Sequence, residues 1–557
     1  MKEADIVIVG SGAAGLCAAI TAGKLGLSVL VVEKSEYFGG TTAFSGGAPW
    51  IPNNHLMRTV GLEDDLSAAK EYLHHNLGDK YDTAIVNAYL QAAPEMLRFL
   101  EDNSEVHFKP FMLPDYQSDF PGARICRSLL TKEYDGRKLG EHLKLLRPPR
   151  KELVLFKTMQ IEGADIHPMR KAFRTIAGFK RASWLFTKFA MSRLAHGRGT
   201  RLTSGNALAG RLLRSAIDSG ATLWNKTPAI GLELVDGAAR KLRVRHHGTE
   251  VAITARKGII LATGGFGANA AMRNQYIPFA EHHISLQPEE NVGDGLRLGT
   301  SVGAVFNQED AGNCIWTPVS IMRNNDGSTA KYPHIFIDRA MPGSIVVTQA
   351  GKRFVNEAGS YQTFVNTMHE QGLTTVYLLA NRAFLRNYGM GLVRPFPFSI
   401  RPYLDNGYLV EGRTLSELAE KLGIAPQDLE ETVQRFNTHA IDGNDPEFGR
   451  GADAHSRFRG DAEHKPNPTV GPVGPGPYYT IALHPGDLST TGGLNTNEHA
   501  QVLNAQGDAI PGLYAAGLDM NSMMHGQYPG GGSSIGPALT FGYIAARHIA
   551  AAPSPLP

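Results

Sequence analysis

The sequence predicts an α/β protein in which a nucleotide-binding domain on a parallel sheet is interrupted by a second, α+β domain. Three observations lead there: a strand–glycine turn–helix–strand unit at the N-terminus, two apolar strands ending in glycine far downstream, and a length of 557 residues. That length exceeds one ordinary domain. Apolar residues at 42% and charged residues at 19% give a balance that buries a large core and excludes a disordered or fibrous chain. The 62 glycines fall in short clusters without a period, as expected where tight loops bring backbone close to a ligand.

The first unit opens with the strand-like run Ile6-Val7-Ile8-Val9, turns through Gly10-Ser11-Gly12-Ala13-Ala14-Gly15, and continues as a helix from Leu16 to Leu25. A second strand, Ser28 to Val32, ends in Glu33. This is the dinucleotide fingerprint in its required context, strand before and helix after. Gly10 allows the tight turn, Gly12 lets backbone approach a pyrophosphate, and Gly15 lets helix and strand pack closely. The helix N-terminus adds partial positive charge facing the phosphates. Glu33, followed by Lys34, stands where an acid accepts hydrogen bonds from a ribose diol.

A glycine-rich loop follows, Gly39-Gly40-Thr41-Thr42 and Ser45-Gly46-Gly47. Much later come Ile259-Ile260-Leu261-Ala262-Thr263-Gly264-Gly265 and Gly512-Leu513-Tyr514-Ala515-Ala516-Gly517, each a short apolar strand that ends in glycine. Sites spread from residue 10 to residue 517 predict an extended cofactor and a C-terminus that returns to complete the N-terminal domain.

The charge is uneven. Residues 144–201 hold 14 Lys and Arg against Glu152, Glu162 and Asp165, so the rest of the chain is net acidic although the whole carries only +2. In this stretch Ala172, Phe173, Phe179, Trp184, Leu185, Phe186, Phe189, Met191 and Leu194 alternate with Lys180, Arg181, Lys188 and Arg193. Two readings stand: a surface for anionic lipid, or an amphipathic helix packed on its own domain with a solvated basic side. No nucleic-acid module accompanies the charge, so nucleic acid is not expected. Cys17, Cys126 and Cys314 are scattered and odd in number, which excludes a disulfide framework or a CxxC pair, and no metal site is expected. No apolar run is long enough to span a bilayer. The start, Met1-Lys2-Glu3-Ala4-Asp5, has acids where a signal peptide needs bases. The expectation is a cytoplasmic protein, with peripheral membrane contact through 144–201 if the lipid reading holds.

These motifs resemble the fumarate reductase and 3-ketosteroid dehydrogenase superfamily of flavoproteins, over nearly the whole chain apart from about 143–201. The resemblance implies a Rossmann-like FAD-binding domain of glutathione-reductase type, at 1–285 and 476–557, interrupted by a catalytic or capping domain at 286–475. Members with covalent flavin carry a His on the loop after the second strand. The loop Ser35 to Trp50 has none, which implies non-covalent FAD. Within the superfamily, the His-Thr-x-Gly-Gly segment that suits dicarboxylates is replaced by Ser489-Thr490-Thr491-Gly492-Gly493, removing a cationic donor. Other stretches are similar to 3-ketosteroid Δ1-dehydrogenases: Pro114-Asp115-Tyr116, Gly351-Lys352-Arg353-Phe354-Val355-Asn356-Glu357 with Tyr361, Pro485-Gly486-Asp487-Leu488, and Tyr528-Pro529-Gly530-Gly531-Gly532-Ser533-Ser534-Ile535. Ser533 and Ile535 join the expected cofactor contacts.

Carried over, the resemblance implies an active site of Tyr116, Tyr361, Tyr528 and the backbone N–H of Gly532. Desaturation beside a ring ketone removes a proton α to the carbonyl and a hydride from the β carbon, and the α C–H is too weak an acid unless the enolate is stabilised. Tyr528 O–H and Gly532 N–H would form an oxyanion-hole pair, Tyr361 would take the proton as phenolate with help from Tyr116, and FAD would take the hydride. Phenols suit an apolar substrate because they donate hydrogen bonds without burying a charge. The position that holds the ribityl chain in many relatives is Leu518 here, with Asp519 beside it as the substitute. The expected partners are a hydrophobic steroid or cyclic ketone and an external acceptor such as a quinone. The rival readings are a Δ4-(5α)-ketosteroid or small cyclic ketone dehydrogenase, a fumarate-reductase-like ene-reductase, and a non-catalytic lipid carrier.

Overall fold

The computed structural model describes residues 2–172, 175–307, 311–324, 326–335 and 338–552. Phe173, on the expected aromatic face, lies outside them. In chain order the elements that shape the site are β1 (Glu3–Val9), α1 (Ala13–Lys24), β2 (Val29–Val32), α2 (Ile176–His196), β3 (Thr222–Trp224), β4 (Thr249–Leu261), β5 (Cys314–Arg323), β6 (Ser344–Val347), α3 (Tyr361–Glu370), β7 (Val376–Asn381), α4 (Ala454–Arg459), β8 (Tyr478–Thr490), β9 (Ala509–Ala515) and α5 (Ile535–Ala551).

The first sheet runs β9-β4-β1-β2-β3, with Gln501–Leu503 beyond β9. β1 pairs parallel with β2 (Val7 opposite Leu30) and with β4 (Val7 opposite Ile259), and β4 pairs parallel with β9 (Ile260 opposite Tyr514). Strands buried on both faces read as continuous apolar runs, and Ile6 to Val9 and Val29 to Val32 do. The alanine-rich α1 is buried along almost its whole length, because α5 covers the side that the sheet does not. The C-terminal return expected from the sequence is therefore present, as β9 and α5.

The second sheet is antiparallel, Thr329–Pro333, β5, β8, β7, β6 in order. Here the structure differs from the expected crossing at 476. β8 falls after that boundary yet is hydrogen-bonded between β5 and β7, at the centre of the second sheet. The Pro/Gly-rich 467–477 stretch is a connection inside the second domain, and the chain re-enters the first sheet only at Gln501.

α2 starts at Thr175, whose side chain accepts from Gly178 N, and it buries only Gly178, Ala182 and Leu185. Trp184 and Phe179 are 45% and 58% exposed, and Leu194 is 89% exposed. The expected apolar face is split: Leu185 is buried and Phe189 half-buried against the protein, while Phe186 and Met191 are exposed with Phe179, Trp184 and Leu194. Among the described residues no helix is long and apolar enough to cross a membrane. The three cysteines are free and buried.

Candidate active site

The C-terminal ends of β1, β2 and β4 meet at one edge of the first sheet. Gly10 N donates to Val32 O and Ala262 N to Val9 O, both at 2.8 Å. Gly10 has φ +107°, and a Cβ there would lie 2.1 Å from Ala262 O, so this turn admits glycine alone. Gly12 begins α1 with no side chain capping its positive end, and Ala14 and Gly15 follow in the first turn. Ala13 N donates to Thr42 Oγ1 at 2.9 Å, which ties the glycine-rich loop to the helix start. Glu33 is fixed beside the turn: Oε2 accepts from Ser11 N and Oγ at 3.1 and 2.6 Å, and Oε1 accepts from Ser35 N at 2.9 Å.

The loop 40–47 is held from several sides. Gly40 opens its short helical turn. Thr41 Oγ1 accepts from Asn291 at 2.9 Å, and Ser45 Oγ donates to Thr42 O and accepts from Gly47 N. Gly46 is exposed. Lys34 pairs with Asp294 at 2.5 Å. Asp519 is fully buried and accepts from Thr263 N, Thr263 Oγ1 and Gly265 N at 2.5, 2.9 and 3.2 Å. Its carboxylate clasps the turn that carries Ala262, Thr263 and Gly264, and burial pushes its pKa up to about 6. Its three donors come from the protein, so it holds the cradle's wall in place. Gly517 lies against Ala14.

Between the sheets is a cleft lined by Ile315 of β5, Ser489 and Thr490 of β8, Thr491, Asn521, and Ser533 just before α5. Beside it Ile315, Tyr361 and Tyr528 form one buried apolar cluster, with Tyr116, Ile335 and Leu488 packed against them. The three tyrosines reach it from separate elements. Tyr361 is the first residue of α3, which Ser360 caps by accepting from Thr363 N at 3.0 Å. Gln362 next to it accepts from Trp316 N at 2.7 Å and donates to Gly526 O at 2.9 Å, pinning α3 between β5 and the Tyr528 loop. Tyr116 sits on a loop whose N–H donates to Pro529 O at 2.8 Å. Its hydroxyl donates to that of Tyr361 at 3.3 Å, and the ring centroids of the three tyrosines are 5.6–5.8 Å apart. Gly532 N donates to Tyr528 Oη, also at 3.3 Å. Gly532 has φ +100°, and a Cβ would fall 2.0 Å from Ala48 O.

A frame of buried polar groups sets these loops. Asp115, next to Tyr116, accepts from Trp50 Nε1 at 2.8 Å, Arg124 N at 3.0 Å and Arg127 Nη1 at 2.9 Å. Trp50 N donates to Gly532 O, and Tyr72 Oη to Pro529 O at 2.6 Å. Burial pushes the Tyr361 and Tyr116 phenols above their ordinary value; both neighbouring tyrosines add to the rise at Tyr361, whereas at Tyr116 Tyr528 adds to it and the bond to Tyr361 opposes it.

Residues 5–535 match the FAD binding domain family. The chain is 37% identical to the 4-oxocyclohex-2-ene-1-carboxylate 5-dehydrogenase of Sinomonas cyclohexanicum, covering 98% of this chain and 93% of that one. It is 36% identical to the 3-oxosteroid 1-dehydrogenase of Mycobacterium tuberculosis, covering 99% of each. Among solved structures, the 3-ketosteroid Δ1-dehydrogenase of Sterolibacterium denitrificans, in complex with 1,4-androstadiene-3,17-dione, superposes with a TM-score of 0.90 at 34% identity, over 99% of this chain and 100% of that one.

The chain belongs to the FAD-binding domain family. The residues present fit the cofactor: Thr490 Oγ1, Thr491 Oγ1 and Asn521 Oδ1, all at the cleft, are enclosed without a hydrogen-bond partner, as expected of groups that meet a polar ring system. In this flavoprotein the sequence-predicted tyrosines and Gly532 are brought together. Arg353 and Glu357 are a buried ion pair, with Asp445 and Arg450, beneath β6. Sequence reasoning missed His455 and Arg459. The His455 ring packs against Tyr116 at a tilt of 46°, with centroids 4.6 Å apart. Both lie on α4, a six-residue helix that begins 93 residues beyond Tyr361 with no motif around it, so no local signal marks them.

Proposed function

We propose that this flavoprotein desaturates a ring ketone between the α and β carbons, and that its substrate is a 3-ketosteroid dehydrogenated at the 1,2 bond. The observation that carries the reading is the meeting of three phenols and the Gly532 N–H in one apolar cluster beside the flavin cleft. Tyr528 Oη and Gly532 N, now in contact with each other, are a donor pair that a carbonyl oxygen entering between them engages together. Developing enolate charge on that oxygen strengthens both bonds, which is the condition for lowering a barrier. Tyr361, within hydrogen-bond reach of Tyr116, takes the α proton, and Tyr116 passes charge or a proton onward. FAD, when bound, supplies the hydride acceptor for the β carbon. The surrounding Ile315, Ile335 and Leu488 match an uncharged ring and exclude water.

The steroid assignment is supported by full-length relatives named 3-oxosteroid 1-dehydrogenase and by the steroid complex of the superposed structure. A second reading, a small cyclic keto acid, is supported by the 37% relative named for such a substrate. Anaerobic mixing with a 3-keto-4-ene steroid, followed by the flavin's absorbance and the product's mass, tests the first reading. Bleaching with a product two hydrogens lighter is expected. A flavin that stays oxidised with the steroid but bleaches with 4-oxocyclohexanecarboxylate establishes the second. We infer further that α2, with its outward aromatic and basic residues, rests on an anionic membrane surface, which suits a lipid-dissolved substrate and an electron acceptor of the quinone type.

A further inference from the structure

Several buried cations among the described residues are matched by acids. Arg127 has Asp64 and Asp115, Arg353 has Glu357 and Asp445, and Arg273 has Asp487. Arg459, half-buried, has none among the described residues. Its Nη2 donates to the carbonyl of Ile335, and its Nε is enclosed with no hydrogen-bond partner. Ile335 packs on the tyrosine cluster, and His455, one turn earlier on α4, lies on the Tyr116 ring, so this helix lays positions 455 and 459 along the back of the phenols. Arg339 stands behind. Its Nε and Nη1 donate to His334 O and Glu357 O at 2.9 and 2.7 Å, its Nη2 has no partner, and its guanidinium lies 4.7 Å from the ring of Phe364 on α3.

A guanidinium partly withdrawn from water without a counter-ion favours an anion placed beside it. The acids do not supply it. Asp338 is already bound by His334 at 2.7 Å and Gly391 N at 2.9 Å, and Glu357 by Arg353. The groups that face the phenols from the packed elements are Tyr528 from its loop, His455 and Arg459 from α4, and Arg339 with Asp338 and His334 from the segment before β6. His455 is held neutral by burial and by the two arginines. The remaining source of negative charge is the pair of phenols.

We propose that Arg459, supported by Arg339, is the counter-charge for a tyrosinate on the Tyr361–Tyr116 pair and sets the pH at which that base is ready. One proton leaves the hydrogen-bonded pair for solvent, leaving a single negative charge shared between the two oxygens. The same oxyanion then takes the substrate's α proton, and the pair is neutral again. Arg459 is thus a positioning residue that acts through Tyr361. The inference rests on the ring-ketone reading for the proton's origin, but the tyrosinate itself does not depend on any substrate.

The test is a pH titration of the flavin-loaded protein at the ultraviolet tyrosinate band, with Tyr361→Phe identifying the step that belongs to the pair. Arg459→Met is expected to move that step up by about one to two pH units, the range of a nearby opposite charge, and Arg459→Lys by less than about half a unit, since it keeps the charge. With ketone substrate, the alkaline-rising limb of kcat/KM should move by the same amount, so that activity lost at neutral pH returns at high pH. If Arg459→Met loses its flavin, Arg459→Gln, which keeps a donor for the Ile335 carbonyl, serves instead. An unmoved tyrosinate step overturns the proposal, as does an activity loss uniform across pH. An unmoved step with KM raised only for carboxylate-bearing ketones also overturns it and gives the arginine to the substrate. A shifted step in a protein that no ketone bleaches would sink the proposed function and leave this inference standing.

Discussion

The hydroxyl of Tyr116 donates to the hydroxyl of Tyr361 across 3.3 Å, with the two rings inclined at 82°, joining a loop of the first half of the chain to the first residue of α3. This edge-on contact lets one phenol feed its proton to the other while both rings stay packed on Tyr528. It also divides their roles, because Tyr361 is the more deeply buried of the two.

Tyr361→Phe removes the base and leaves the aromatic packing. Flavin reduction in anaerobic stopped-flow should fall by about 10²–10⁴-fold, the range of general-base catalysis, with flavin content unchanged. Turnover at the wild-type rate would refute the base assignment. Tyr116→Phe should cost less and chiefly displace the pH profile.

Tyr528→Phe deletes one of the two donors aimed at the carbonyl. A loss of about 10²–10³ in kcat is expected, as for removal of one oxyanion-hole donor. KM should change little, since the interaction strengthens only as charge develops. A variant whose KM rises while kcat holds would place Tyr528 in ground-state binding.

Asp519 yields a pH prediction. Its folded pKa, about 6, lies above the ordinary carboxyl value of 3.8, so the folded protein binds the proton more tightly than the unfolded chain. Stability from this group is full below pH 3.8 and is lost as pH rises towards 6. Asp519→Asn carries no such penalty. Its loss of an acceptor for Thr263 N gives a constant cost, while the difference between variant and wild type should move in the variant's favour by roughly 2 kcal/mol between pH 4 and pH 7. Tm measured in parallel at several pH values checks this, and a flat difference would mean that the aspartate stays ionised throughout.

On α2, Trp184 lies under two cations, Arg181 at 4.8 Å and Lys188 at 4.7 Å, with Phe179 and Leu194 also outward. Lys188→Gln should weaken partition into anionic vesicles about fivefold, near 1 kcal/mol per basic residue. Trp184→Glu should weaken it more, and added salt should lessen the first effect. Equal sedimentation of all three proteins with vesicles would show that this helix does not touch the membrane.

Much of this site is legible in the sequence for a physical reason. The turn at Gly10 and the loop at Gly532 each need backbone that only glycine adopts, and such residues leave a mark within a few positions. Tyr116 and Tyr528 sit in loops of that kind. What escapes is decided by long-range pairing. The run Tyr478 to Thr490 reads as a strand, but nothing in it says which sheet it joins, and only β5 and β7 settle that. That Asp519 also clasps Thr263 and Gly265, some 250 residues earlier, is likewise invisible in the sequence. Arg459 matters through what it lacks, and a missing partner has no sequence pattern.

The strand order of the first sheet has a consequence for biosynthesis. Its central pair, β1 and β4, is separated by some 250 residues, and β9, which flanks β4, lies within the last 50. The clasp of Asp519 on Thr263 closes later than either central strand. A ribosome must therefore deliver nearly the whole polypeptide before the cofactor cradle can close, while the antiparallel sheet, complete at Thr490, is free to form earlier. Flavin capture therefore waits for β9 and Asp519, and a chain cut between Thr490 and β9, which keeps Tyr116 and Tyr361 but loses Tyr528, should yield colourless protein.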